Sequence, residues 1–435
     1  MIYRRLTPLQ QLWFGVLSFP ISLGVVSVLT FAPTYYAIDL GIGLTATGLI
    51  FAAGRVIDVV TDPLIGHLSD ETRSPVGKRL PWMIIGAIIL CPTLYCVMVP
   101  AGDPSLIALA ALVAIFFTGL TLIDLPYSAV GLEISPFIHE RTMLASVKAA
   151  FQIIGALTAS MLILFFASDQ ALALEMTAII VIIFVAVGLI CFWRLTPYKN
   201  QQEASFTLKL SSGFSPIVSL RKIGRNTDYK RLLLAFGLAQ AGSAMSVGLT
   251  ALLVLKQIEA PELTGAFIGI LLIFTALALP FWTYLSKRIG KAESWKLGLM
   301  IGSGLMLMSF LFVGGNIFLF GAFCALYGFV IAGDVILPTT MLADIVSDKP
   351  DERVHNQAGA MLGFKNAVSK LGFVIPMLFA FPILGALGVE EAETLNQVQT
   401  IAILMLYGFV PALLRIAAWW ALQSASSAKR SDRLS

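Results

Sequence analysis

The sequence predicts an all-helical membrane protein of twelve spanning helices in two six-helix halves, on three observations. Of 435 residues, 58% are hydrophobic and only 12% charged, with a mean hydropathy of +0.88, which leaves too little polar surface for a water-soluble chain of this length. Twelve apolar stretches of roughly 20 residues follow one another, each long enough to cross the hydrocarbon core as a helix. A polar, basic segment, residues 196–229, separates the first six from the last six.

The first stretch, 9–34, is too long for a cleavable signal and lacks a small-residue cleavage site, so it is read as a retained helix. The second, 43–67, holds Arg55, Asp58 and Asp62. After an apolar third stretch, 81–100, the fourth, 105–131, carries Thr121 and Asp124, and the fifth, 146–167, carries Lys148; the sixth is 172–195. Beyond the linker come 230–254, 263–286 and 294–313, then 316–342 with Asp334, 359–387 with Lys365 and Lys370, and 397–422 with Arg415. The expected organisation is therefore a bundle over 1–195, a linker over 196–229, and a second bundle with a short tail over 230–435.

Basic residues set the orientation. They cluster at Arg4 and Arg5, at Arg73, Lys78 and Arg79, between Lys199 and Arg225, at Lys287 to Lys291, and at Lys429 to Arg433, which places both termini in the cytoplasm. Among the predicted outer loops only Lys256 is basic. The net charge of +4 thus reflects topology, and no nucleic-acid partner is expected. Cys91, Cys96, Cys191 and Cys324 fall in predicted spans without a ligand pattern, so neither a disulfide framework nor a metal centre is expected.

The halves echo each other. Leu125-Pro126 is followed by Glu140-Arg141 and Leu337-Pro338 by Glu352-Arg353 at the same distance, and Pro63 to Ser69 has a faint counterpart in Pro280 to Ser286. Two related halves around a midplane site suit alternating access.

Arg55, Asp58 and Asp62 stand three and four residues apart, on one helical stripe. Each ionisable group at mid-bilayer costs about 2.5–3.5 kcal/mol even on the lenient insertion scale, so such a cluster marks an ion or solute pathway. The other reading is an internal salt bridge that only neutralises charge, with Arg55 or Lys370 as the cation. At 1.5 Å per residue Asp62 and Asp124 reach similar depths in two helices running the same way, and Thr121 faces with Asp124. Hydroxyl and carboxylate oxygens there suit a hard monovalent cation, or the carboxylates take up a proton. Asp334 has a comparable depth and is read either as a second proton or solute group or as the partner of Lys365 or Arg415. Arg415 itself is expected to reach the cytoplasmic face. No nucleophile elbow, phosphate loop or His-Glu-x-x-His motif supports an enzyme.

Asp58-Val59-Val60-Thr61-Asp62-Pro63-Leu64-Ile65-Gly66, followed by Ser69-Asp70, Arg73 and Gly77-Lys78-Arg79-Leu80-Pro81-Trp82, resembles the signature of the glycoside-pentoside-hexuronide:cation symporter family of the major facilitator superfamily. Asp124-Leu125-Pro126-Tyr127 with Glu133, Glu140 and Arg141, then Leu337-Pro338 with Asp344, and Ser369-Lys370-Leu371-Gly372 extend the resemblance from the second span to the eleventh. It implies a major facilitator fold and symport of a small polar solute, a glycoside or sugar acid, with Na⁺ or H⁺ and no cofactor. Asp58 and Asp62 would bind the cation with Thr61 and Thr121 supplying neutral oxygens, and Lys370 would stand near them.

Lys148 lies one residue from a substrate-binding arginine of galactoside carriers in that family. Ser22 and Ser128 replace the acidic and tryptophan residues with which those carriers hold the sugar. That departure argues against a close galactoside carrier, and Lys148 and Arg55 could favour an anionic solute. Tyr127 is a further candidate lining residue. Asp70, Arg73, Lys78 and Arg79, with Glu140-Arg141 and Glu352-Arg353, resemble the family's latch between halves. A monomer in the bacterial inner membrane is expected. The rival expectation is a lysolipid or other amphiphile carrier of the same fold.

Overall fold

The computed structural model describes residues 6–72, 74, 77, 79–100, 102, 105–134, 138–194, 227–347 and 358–431. Those residues form helices and connecting turns without a strand, and twelve helices are long and apolar enough to cross a membrane. The chain divides into two compact units, Met1–Leu208 and Lys209–Ser435.

The first unit contains α1 (Pro8–Asp39), α2 (Leu44–Glu71), α3 (Leu80–Met98), α4 (Leu106–Glu133), α5 (Ile138–Phe165) and α6 (Gln170–Trp193). Thr7 starts α1 through a reciprocal cap: its hydroxyl accepts from the Gln10 N–H and Gln10 Oε1 accepts from the Thr7 N–H, with Pro8 at the first position where no donor is lost. The helix runs past the expected end near residue 34 because wide π-turns at Ser27–Phe31 and Tyr35–Asp39 flank Pro33 and carry the chain through it.

The second unit contains α7 (Thr227–Ile258), α8 (Pro261–Ile289), α9 (Lys291–Phe312), α10 (Ile317–Ser347), α11 (358–386) and α12 (397–431). Like α1, α7 ends in a π-turn, Val254–Ile258. Within it Lys256, the basic residue of the predicted outer loops, donates to the carbonyls of Glu390 and Ala392 and so ties α7 to the turn after α11.

One packing scheme occurs in both units. In the first, α1 packs on α5 and α6, α2 on α4, and α3 on α4 and α6; in the second, α7 packs on α11 and α12, α8 on α10, and α9 on α10 and α12. Small residues allow the closest approaches. A Cβ on Gly54 of α2 would stand 2.6 Å from Val113 of α4, and one on Gly328 of α10 would meet the backbone carbonyl of Leu271 in α8.

Candidate cation and solute site

Two ion pairs of the first unit, Arg55–Asp58 and Lys148–Asp124, lie along the α2–α4–α5 contacts. On α2, Arg55 Nη1 donates to Asp58 Oδ2 at 2.7 Å, and its guanidinium lies over the Phe117 ring of α4, 4.8 Å from the centroid. Asp58 is fully buried. Its other oxygen accepts from the Thr121 hydroxyl of α4, which also stands 3.2 Å from Asp62 Oδ1. Three oxygens from two helices therefore converge: Asp58 Oδ1, Thr121 Oγ1 and Asp62 Oδ1. The absent side chain at Gly54, one residue before Arg55, lets α2 lie close enough to α4 for this. Pro63, directly after Asp62, lacks the N–H that would bond the Val59 carbonyl in an unbroken helix.

Thr61 turns away. Its hydroxyl donates to the Asp58 backbone carbonyl at 3.1 Å, so of the two threonines expected to supply oxygens it is Thr121 that bridges the carboxylates.

One and two helical turns beyond Thr121, Asp124 and Ser128 face α5. Lys148 Nζ donates to Asp124 Oδ1 at 3.1 Å and Ser128 Oγ at 2.6 Å, and stands 4.8 Å from the centroid of the Tyr127 ring. The Asp124 side chain keeps 40% of its surface exposed, so the pair is neutral in sum yet open to a ligand. Tyr127 is itself fixed: its hydroxyl donates to the Phe14 carbonyl at 2.6 Å and is 2.7 Å from Ser18 Oγ. Phe14, whose ring is tilted against Tyr127 with centroids 4.7 Å apart, is one of the aromatic residues the sequence offers as cavity lining, whereas Ser18 was not singled out from the sequence. Ser18 precedes the expected Ser22 by one turn of α1, the only sequence signal that could have found it; Ser22 is half-buried nearby on the same helix.

Asp334 belongs to a different cluster, inside the second unit. Arg415 Nη1 donates to Asp334 Oδ2 at 2.6 Å and to Ser243 Oγ at 3.0 Å, and Trp295 Nε1 donates to Asp334 Oδ1 at 2.9 Å. Arg415 is 0% exposed, which corrects the expectation that it reaches the cytoplasmic face. The physical reason is space: Gly302 of α9 leaves a slot in which a Cβ would stand 2.6 Å from Arg415 Nε, and Asp334 supplies the counter-charge there. Lys370 is half-buried on α11.

Of the latch residues, Arg79 is buried and donates to Ser69 Oγ at 2.6 Å, fastening the start of α3 to the end of α2. Glu140 is buried and Arg141 half-buried at the start of α5. Arg73, Lys78, Glu352 and Arg353 lie outside the described residues, as does the Asp70 side chain. In the second unit Lys291 pairs with Asp344 at 2.6 Å, joining the start of α9 to the end of α10.

Twelve spanning helices in two like-packed units, with a buried oxygen cluster beside an open ion pair, define a membrane carrier of small solutes. The chain belongs to the family described as MFS/sugar transport protein, which matches residues 13–425; this is a family of membrane transporters, not of enzymes, and the chain is an integral multi-pass membrane protein. It is 23% identical over 395 residues to the putative glycoside/cation symporter YagG of Escherichia coli, covering 87% of this chain and 83% of that one. It is 33% identical over 152 residues to the uncharacterized symporter sll1374 of Synechocystis, covering 33% of this chain and only 28% of that relative. A sodium-dependent lysophosphatidylcholine symporter, 1-A of Danio rerio, is 21% identical over 343 residues, 70% of this chain and 63% of that one. The fold matches a single-residue variant of the nucleoside transporter NupG with a TM-score of 0.70 at 14% identity, over 95% of this chain and 99% of that structure.

Proposed function

We propose that this chain is a secondary transporter that couples movement of a small polar solute, a glycoside or a sugar acid, to a Na⁺ or H⁺ gradient. The observation that carries the reading is the convergence of the Asp58, Thr121 and Asp62 oxygens one helical turn from the Asp124–Lys148 pair. Two carboxylates and the Thr121 hydroxyl together offer a monovalent cation oxygen ligands from two helices. Oxygen donors suit Na⁺, and the same carboxylates suit a proton.

The solute then meets Asp124, Lys148 and Ser128. A half-exposed carboxylate accepts paired hydroxyls, while the ammonium donates to a hydroxyl, a ring oxygen or a solute carboxylate. Thr121, Asp124 and Ser128 share α4, so a cation that fixes Thr121 also fixes the α4 face that, with Lys148 of α5, grips solute. By linkage, solute must then tighten cation binding by the same factor. Similarity to a putative glycoside/cation symporter supports this reading. The basic loops favour cytoplasmic termini, and a bacterial inner membrane suits the relatives in Escherichia coli.

The test is thermal stabilisation of the purified chain by sugars, sugar acids and organic acids, with and without Na⁺, at two pH values. Ligand binding raises stability by RT ln(1 + [L]/Kd). Stabilisation strengthened by Na⁺ or by low pH, and lost in Asp62→Asn, is expected; ligand binding indifferent to both ions would overturn the coupling. A second reading, carriage of a lysolipid, is favoured by similarity to the lysophosphatidylcholine symporter, and stabilisation by lysolipid but by no polar solute would select it.

A further inference from the structure

We infer that Tyr127, fixed from α1, is a positioning residue that holds the Lys148 ammonium where solute meets it. The inference deepens the proposed solute site and rests on that reading for what Lys148 binds, while the hold of Tyr127 on Lys148 is tested without solute.

A lysine carries its charge on a flexible four-carbon stem, and a solute that had to order that stem on arrival would lose affinity. Asp124 alone does not fix it. Lys148 Nζ stands 3.1 Å from Asp124 Oδ1, longer than the about 2.7–2.9 Å of a close charge-assisted bond, whereas Ser128 Oγ is at 2.6 Å. The third neighbour is the Tyr127 ring, whose centroid lies 4.8 Å from Nζ, within the range at which a π face attracts an ammonium. That attraction places the charge only if the ring itself has a single orientation.

The ring is held on several sides. Its hydroxyl donates to the Phe14 carbonyl at 2.6 Å and, with its proton so committed, accepts from the Ser18 hydroxyl at 2.7 Å; both partners belong to α1, one turn apart. The Phe14 ring is tilted against it, and Phe192 of α6 meets it edge-on with centroids 6.3 Å apart. Gly131, one turn further along α4, leaves the room that Phe14 fills, since a Cβ there would stand 2.9 Å from the Phe14 ring. Tyr127 is 0% exposed, so it does not itself line the solute site, which corrects its reading from the sequence. Between Pro8 and Ile38 α1 carries no acidic or basic side chain, yet through Tyr127 it sets where the cation of the solute pair stands.

The experiment is a double-mutant cycle in the full chain, Tyr127→Phe against Lys148→Met, read as the unfolding equilibrium in mixed dodecylmaltoside and dodecyl sulfate micelles with no solute present. A hydroxyl that only ties α1 to α4 gives additive effects, whereas one that places the ammonium gives a coupling of about threefold or more in the unfolding constant. Ser18→Ala against Lys148→Met serves if Tyr127→Phe does not fold, and coupling of the same sign is expected. Additivity in both cycles would overturn the inference. The second arm uses D-glucuronate and methyl β-D-glucoside, read as the unfolding temperature. The apparent Kd of whichever stabilises the wild type is expected to rise about threefold to tenfold in Tyr127→Phe, and an unchanged Kd would overturn the claim that this placement serves solute. With a coupled cycle, failure of both probes to stabilise the wild type would count against the solute reading while upholding Tyr127 as the residue that places Lys148.

Discussion

Thr121 has one hydroxyl proton and two carboxylates to serve, so at any moment one contact is a hydrogen bond and the other is an approach of two oxygens. On the proposed reading, a bound cation would resolve that conflict by ligating all three. Thr121→Ser should therefore retain cation-dependent stabilisation, while Thr121→Ala should weaken the apparent cation affinity by about fivefold to thirtyfold, for a loss of about 1–2 kcal/mol, measured as the Na⁺ or pH dependence of unfolding. Asp334 and Arg415 behave differently, because both are buried against each other. Asp334→Asn should destabilise the chain by about 3–5 kcal/mol by stranding the guanidinium, whereas Asp334→Leu with Arg415→Met should be close to neutral in a melt. If the double variant still transports, Asp334 is not the proton carrier that its depth suggested. The α2 trio was legible because its spacing is local to one helix. Trp295, Ser243 and Ser18 were not, because their partnerships depend on how separate helices rotate against one another, which no single-helix periodicity encodes.

At the scale of elements, the closeness of α2 and α4 rests on an absence of side chain. Gly54→Leu would drive a branched side chain into Val113 and Phe117. It should cost about 1–3 kcal/mol of stability by overpacking. It should also lower cation affinity although no liganding atom is removed; unchanged cation affinity in a folded Gly54→Leu protein would show that the oxygens do not need this spacing. Helix number and order were readable from apolar runs, since each span must satisfy its own backbone in lipid. Helix ends were less so. The π-turns that extend α1 past Pro33, and the polar start of α7 at Thr227, lie where hydropathy has already fallen, and the Arg415 slot is made by a glycine of α9, far away in the chain.

For the whole molecule, the charge pattern gives a topology that can be tested directly. Cysteines placed at Lys287 and Glu391 in a background lacking the four native ones should react with a membrane-impermeant maleimide from opposite sides, Lys287→Cys from the cytoplasm and Glu391→Cys from outside. Reaction of both from one side would reverse or refute the assignment. The duplicated packing scheme carries a further consequence. Aligning Pro63 with Pro280 sets Thr275 where α2 has Asp58 and Leu279 where it has Asp62, and Thr275 only donates to the carbonyls of Leu271 and Gly328. The α8–α10 contact is thus an internal control written into the same chain: the helix pair packs once with carboxylates at these two positions and once with Thr275 and Leu279 there. Since α8 packs on α10 without carboxylates at those positions, the helix pairing does not require those of α2, and their presence calls for an explanation in the work the molecule performs.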